Sequence, residues 1–174
     1  MIDPRHTRAM YRDRALEIAE SLGVGAGGSL GLGADIITGF PGETDEDHEQ
    51  TVALVEELPF TYLHVFPFSP REGTPAAELA REMPVPQRVA AERARELREL
   101  GQARGEAYLA SRVGAEVEVV VERPGTDGVP LGLTGDYLRL PVEGAVGEGE
   151  ARIRRGTVER VGDRYLLNVG AAVP

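Results

Sequence analysis

The residues best placed for chemistry lie in the stretch Gly33-Ala34-Asp35-Ile36-Ile37-Thr38-Gly39-Phe40-Pro41-Gly42-Glu43-Thr44. Ile36-Ile37-Thr38 is apolar and β-branched, as a short buried strand requires. Gly39, Pro41 and Gly42 then break it, either for a sharp turn or for a close approach of backbone to another group. Thr44-Asp45-Glu46-Asp47 follows as a near capping box, with acids at the positive end of the helix it opens. Strand, glycine turn and capped helix make one βα unit, and α/β folds hold ligands at the C-terminal ends of their strands. The same spacing also suits a tight turn that binds nothing. Three histidines scattered along a chain without cysteine make no metal site. Arg71, in the turn-rich residues 69–75, could pair with a phosphate or a carboxylate, or face water.

Several elements must position these residues. Residues 7–22 predict an amphipathic helix with Tyr11, Ala15, Ile18 (or Ala19) and Leu22 inward. Gly23-Val24-Gly25-Ala26-Gly27-Gly28 satisfies G-x-G-x-x-G on paper, but it follows a helix and opens none, so a flexible insertion is expected there instead of a phosphate cradle. A helix over 45–58 places His48, Val52, Val55 and Leu58 on one face, with His48 a packed edge residue. Pro59 closes it, and residues 62–66 form a second strand ended by Pro67. A long helix follows over 85–111, with Val89, Leu97, Leu100, Ala107 and Tyr108 inward and Glu92-Arg93-Ala94-Arg95-Glu96 a solvated face of i,i+4 pairs. Past Gly114 the pattern alternates. Val117, Val119 and Val121, then Asp136-Tyr137-Leu138-Arg139-Leu140, Ala151-Arg152-Ile153-Arg154 and Arg164-Tyr165-Leu166-Leu167-Asn168, are short strands of a small barrel or sandwich.

Composition narrows the classes. Hydrophobic content of 41% and charged content of 28% are those of a soluble globular chain. No apolar run is long enough to cross a membrane and no signal-peptide core is present, so a cytoplasmic location is expected. All 19 basic residues are arginine, yet the net charge is −10, so any nucleic-acid contact must come from local arginine patches. Cysteine is absent, which excludes disulfides, a thiol nucleophile and cysteine-ligated iron–sulfur clusters on this chain.

The run from Asp35 to Thr44, followed by Tyr62-Leu63-His64-Val65-Phe66-Pro67-Phe68-Ser69-Pro70-Arg71-Glu72-Gly73-Thr74-Pro75-Ala76, resembles the radical-SAM methylthiotransferases. Within them it is most similar to the branch that thiomethylates threonylcarbamoyladenosine in tRNA. The resemblance implies an α/β fold: residues 1–112 as the C-terminal piece of a partial radical-SAM βα barrel with a long linking helix. Residues 113–174 resemble the TRAM domain, a small OB-like β-barrel that binds RNA. By the same resemblance, S-adenosylmethionine lies against the strands at 36–38 and 62–66. Asp35, Ile37, Gly39 and Glu43 match the region that packs on adenine and orders the ribose side, Gly39 letting the cofactor near the backbone. Val65 and Phe66 offer strand backbone and apolar surface.

The family's two 4Fe-4S clusters need cysteines that lie N-terminal to everything here, so no catalytic residue or metal ligand is assigned and the chain alone is expected to be inactive. In the barrel, Ala151 and Ile153 are expected inward and Arg152 and Arg154 outward. With Arg71, Arg139, Arg155, Arg160 and Arg164 these arginines could contact phosphates while Tyr137 stacks on a base, or they could form an ordinary solvent-facing surface. Three readings follow: a fragment or split subunit of the enzyme, partnered by tRNA and a separately encoded N-terminal half; an RNA-binding module with a relic attached; or a truncated product without activity.

Overall fold

The computed structural model describes residues 7–24, 29–122, 128–143 and 153–172. They divide into two compact units, one of Met1–Gly25 and Gly31–Glu106, the other of Ala26–Leu30 and Ala107–Pro174. In the first unit, α1 (Arg8–Leu22) begins at Thr7, whose hydroxyl accepts from the Met10 N–H, and ends at Gly23 in the left-handed conformation. Gly23 thus belongs to a helix cap, while Gly25, Ala26, Gly27 and Gly28 lie outside the described residues. β1 (Gly33–Thr38) and β2 (Tyr62–Pro67) pair in parallel, with Ala34 opposite Leu63 and Ile36 opposite Val65. Between them α2 (Asp45–Glu57) forms the crossover. Its start is a full capping box: Thr44 Oγ1 accepts from the Asp47 N–H at 3.1 Å, and Asp47 Oδ2 accepts from the Thr44 N–H at 2.9 Å. The bond from the Thr44 N–H first, then one from the Thr44 hydroxyl to Asp47 Oδ2 at 2.8 Å, hold the Asp47 carboxyl below its ordinary pKa.

The core of this unit gathers Val55, Leu58, Phe60, Val65, Ala94 and Leu97, so α2 and α4 (Gln87–Ser111) cover one face of the two strands. Arg104 of α4 reaches under the end of α2 and donates to the carbonyls of Glu56, Leu58 and Phe60. The Glu56 carbonyl is one that a helix end leaves without an intrahelical partner, met here by a cation on the negative pole, while the Leu58 and Phe60 carbonyls belong to the cap and the segment after it. α3 (Pro75–Glu82) was not expected from the loop-like sequence before it. Thr74 caps it and Pro75 occupies its first turn.

Three expectations for this unit are corrected. On α1 only Ala19 is buried and Ala15 half-buried; Tyr11, Ile18 and Leu22 are exposed, because no described element covers them. The charged run of α4 is not uniformly solvated, since Arg93 and Ala94 are buried and only pairs such as Arg88–Glu92 lie outside. Ile37 is 55% exposed, because a two-stranded sheet has helices on one side only.

In the second unit, β3 (Glu116–Val121), β4 (Leu131–Thr134), β5 (Arg139–Glu143), β6 (Ile153–Val161) and β7 (Arg164–Ala172) close a barrel in the order β3-β4-β5-β7-β6. Val117, Val119, Val121, Leu140, Val142, Val158, Leu167 and Val169 fill it. β4 escaped the alternation, and Asp136-Tyr137-Leu138 is a turn instead of a strand. Ala107, expected inward, is exposed. The facing of β6 is the reverse of expectation: Ile153 is 53% exposed and Arg154 is 2% exposed. Val158 fixes the parity, since alternate side chains share a face. Gly156 and Arg154 therefore follow it inward, Gly156 lying where a Cβ would press on Asn168 O and Val169.

Candidate functional site

The strand register sorts the candidate residues into two groups. Gly33 pairs with Tyr62, Asp35 with His64 and Ile37 with Phe66, so these six share the sheet face that the helices leave open. The Tyr62 ring lies across Gly33, His64 follows at 5.5 Å between ring centroids, and Phe66 at 6.5 Å from His64. Phe40 and Phe68 stack edge to face at 5.3 Å just beyond the strand ends. Ile37 and Phe66 are each more than half exposed, at 55% and 53%. The surface therefore offers a carboxylate, an imidazole and flat apolar area side by side, which suits a planar heterocycle with polar substituents. His64 was not singled out as a site residue; its alternation with Tyr62 and Phe66 was the available signal.

The other three candidates lie elsewhere. Val65 is buried against the helices, and its carbonyl accepts from Arg98 at 2.8 Å. Glu43 turns inward: its carboxylate accepts from the Gly39 N–H and from Arg93 Nη1 at 2.9 Å. Arg93 also donates to the Glu43 carbonyl at 3.2 Å and to Asp45 at 2.7 Å. Gly39 has φ +72°, and a Cβ there would overlap the Ala90 methyl of α4. Glycine at 39 is thus demanded by the turn and by helix packing, without any ligand. Gly39→Ala should cost about 2–4 kcal/mol, from a left-handed alanine together with overpacking. Amide exchange in α2 and α4 would read that loss, and unchanged protection would refute it.

His48 is the packed residue expected of it: buried on α2, its Nε2 lies 2.8 Å from Glu96 Oε2 of α4. Among the described residues no group of His, Cys, Asp and Glu could hold a metal ion.

The RNA candidates are dispersed. Arg71 is exposed in the first unit and makes no ion pair among the described residues. Tyr137 is exposed on a turn of the barrel with φ +66°. Arg139 is exposed but held by Glu122 at 2.7 Å. Arg152 lies outside the described residues. Arg154, buried in the barrel, is corrected as an outward phosphate contact, whereas its neighbour Arg155 is exposed.

A polar cluster not foreseen from sequence lies in the second unit. Asp136 Oδ2 accepts from Tyr108 Oη and Arg112 Nε, each at 2.8 Å, and Oδ1 accepts from Thr134. All four are buried. Burial alone would raise the Asp136 pKa; the bonds from Thr134 and Tyr108 and the Arg112 charge outweigh it and hold the carboxyl below its ordinary value. Burial and the bond to Asp136 push the Tyr108 phenol up.

The chain is 45% identical over 111 residues to the threonylcarbamoyladenosine tRNA methylthiotransferase MtaB of Treponema pallidum (strain Nichols), covering 64% of this chain and 22% of that protein. It is 45% identical over 93 residues to the protein of the same name from Rickettsia prowazekii (strain Madrid E), covering 53% of this chain and 21% of the relative. The chain thus spans about a fifth of the length of these curated relatives. No protein-family profile matches it. Over the residues it shares with them, the chain is similar to these two threonylcarbamoyladenosine tRNA methylthiotransferases.

Proposed function

We propose that this chain provides the C-terminal part of a radical-SAM tRNA methylthiotransferase that adds a methylthio group to threonylcarbamoyladenosine, at C2 of its adenine. The observation that carries this is the 45% identity to two relatives whose names state that substrate. Helices on one face of a parallel pair, with Asp35, Ile37, His64 and Phe66 on the other, are in keeping with strands of a βα barrel. S-adenosylmethionine suits the open face: Ile37 and Phe66 would flank its adenine, and Asp35 would accept from its hydroxyl or amino groups. The clusters do not fit this chain, which has no cysteine, so their ligands must come from the rest of the enzyme. No helix among the described residues is long and apolar enough to cross a membrane, and this reading puts the protein in the cytoplasm with tRNA.

The barrel is the RNA-binding part in this proposal. Its strand order, first-second-third-fifth-fourth, supports an OB-like TRAM domain. Tyr137 would stack on a base, while Arg155 and Arg164 offer outward charge. Co-expression with the N-terminal remainder of the Treponema relative, in cells lacking their own enzyme, is the test. Mass spectrometry of digested tRNA should show 2-methylthio-threonylcarbamoyladenosine only when both pieces are present. Its absence although both pieces are soluble and associated would overturn the proposal. The compactness of the barrel unit favours, as a second reading, a non-catalytic RNA-binding module. Tight tRNA binding by the full chain that Tyr137→Ala weakens, without modification in cells, would select it.

A further inference from the structure

Among the described residues Tyr137 alone has a positive φ without being glycine, at +66°. Its place in the fold makes that conformation costly. Gly135, Asp136 and Tyr137 form the loop between β4 and β5. Thr134 N–H closes it by donating to Leu138 O at 2.9 Å, and Tyr137 N–H donates back to Thr134 O at 3.1 Å. In three-residue hairpin loops the last residue is left-handed, a conformation that glycine or asparagine takes most readily. Here the assignments are inverted. The glycine stands at 135, where φ is not positive and a Cβ would meet no atom within 4 Å, while an aromatic residue takes the left-handed position. Burial does not offset the strain, since Tyr137 is 67% exposed.

A strained residue persists only where its surroundings over-determine it. Around Tyr137 they do so from both sides. The preceding Asp136 is buried, and its carboxylate accepts from Tyr108 and Arg112, each at 2.8 Å, and from Thr134. The following Leu138 is tied through its N–H, which donates to Thr134 Oγ1 at 3.0 Å. All of these groups belong to the second unit. With its neighbours pinned, Tyr137 has little backbone freedom left to lose on binding. An exposed ring held still, on a loop whose first residue has no side chain, suits a flat partner.

We infer that Asp136 is a positioning residue: its buried cluster holds Tyr137 left-handed so that the ring stands out to stack on an unpaired base of the tRNA. The inference rests on the RNA-binding part of the proposed function. It adds that the loop keeps a strained tyrosine, where glycine would be more stable, for the sake of that contact.

Fluorescence anisotropy of end-labelled, unfractionated bacterial tRNA with the full 174-residue chain tests this. Tyr137→Gly should weaken binding about tenfold, whereas Tyr137→Phe, which keeps the ring, should bind within about twofold of the unaltered chain. Tyr137→Gly should also slow amide exchange in β4 and β5 about threefold, because the strain is gone. A tyrosine needed only for folding would change exchange in the opposite sense. Asp136→Asn should weaken binding about threefold and should add nothing in the Tyr137→Gly background, because it acts through the ring. Binding untouched by Tyr137→Gly, faster exchange in that variant, or an Asp136→Asn loss that persists without the ring each overturns the inference. So does a full chain that binds no tRNA. Ring-dependent binding without methylthiolated tRNA in the co-expression cells would sink only the methylthiotransferase reading, and methylthiolated tRNA with ring-independent binding would sink only this inference.

Discussion

Asp136→Ala should destabilise the barrel unit by about 3–5 kcal/mol, the cost of removing one partner from a buried ion pair. Arg112 would keep a buried charge and Tyr108 a buried hydroxyl, each without the carboxylate that now accepts from it. Asp136→Asn keeps the shape, and its amide oxygen can still accept from Tyr108 and Arg112 while the negative charge is lost, so a smaller loss of about 2 kcal/mol is expected. Because the chain has two units, a single unfolding midpoint mixes them. Amide exchange in β3, β4 and β7 reads the barrel alone. Protection unchanged by Asp136→Ala would mean that water replaces the carboxylate at no cost.

The same cluster sets two pH limits. The Asp136 pKa is depressed by folding, so its contribution is full above the unfolded value of about 3.9 and is lost as the pH falls through the folded value. The Tyr108 pKa is raised. Its contribution is full below about pH 10 and is lost as the pH rises through the folded value. Ultraviolet titration should therefore show one phenol ionising later in the folded chain than in urea. Tyr108→Phe should remove that late step, and its persistence would assign it to another tyrosine.

What was legible in the sequence was local. The Thr44–Asp47 capping box and the alternation of Val117, Val119 and Val121 each carry their own geometry within a few residues, and each element stands where expected. The resemblance agrees with the names of the relatives, but it placed site residues by position, and register then separated them. Asp35, Ile37 and Phe66 share a face, while Val65 points the other way and Glu43 folds under the turn. Charged residues were the systematic miss. Arginine in a run of charges is assigned to solvent by default, and only partners distant in sequence reverse that. Arg93 finds Glu43 fifty residues away, and Asp136 finds Arg112 across 24. Arg154 turns inward because Val158, four residues on, fixes the parity of β6.

Arg93→Ala should be the other large loss, about 3–5 kcal/mol in the first unit. The Glu43 side chain is 12% exposed, so without Arg93 a carboxylate would stay largely out of water with only the Gly39 N–H to hold it. Asp45, at 93% side-chain exposure, adds little to this, since exposed pairs are worth under about 1 kcal/mol. Arg93→Lys keeps the charge but cannot span the Glu43 carboxylate, the Glu43 carbonyl and Asp45 together, so an intermediate loss of about 1–2 kcal/mol is expected. The double variant Arg93→Met with Glu43→Gln removes both charges, and it should be more stable than Arg93→Met alone by about 1 kcal/mol or more. Exchange of the α2 and α4 amides across this cycle measures the coupling. Additive losses would show that Arg93 and Glu43 act separately. Coupled losses would make them one clamp holding the Gly39–Gly42 turn at the end of β1, beside the open face that carries Asp35, Ile37, His64 and Phe66.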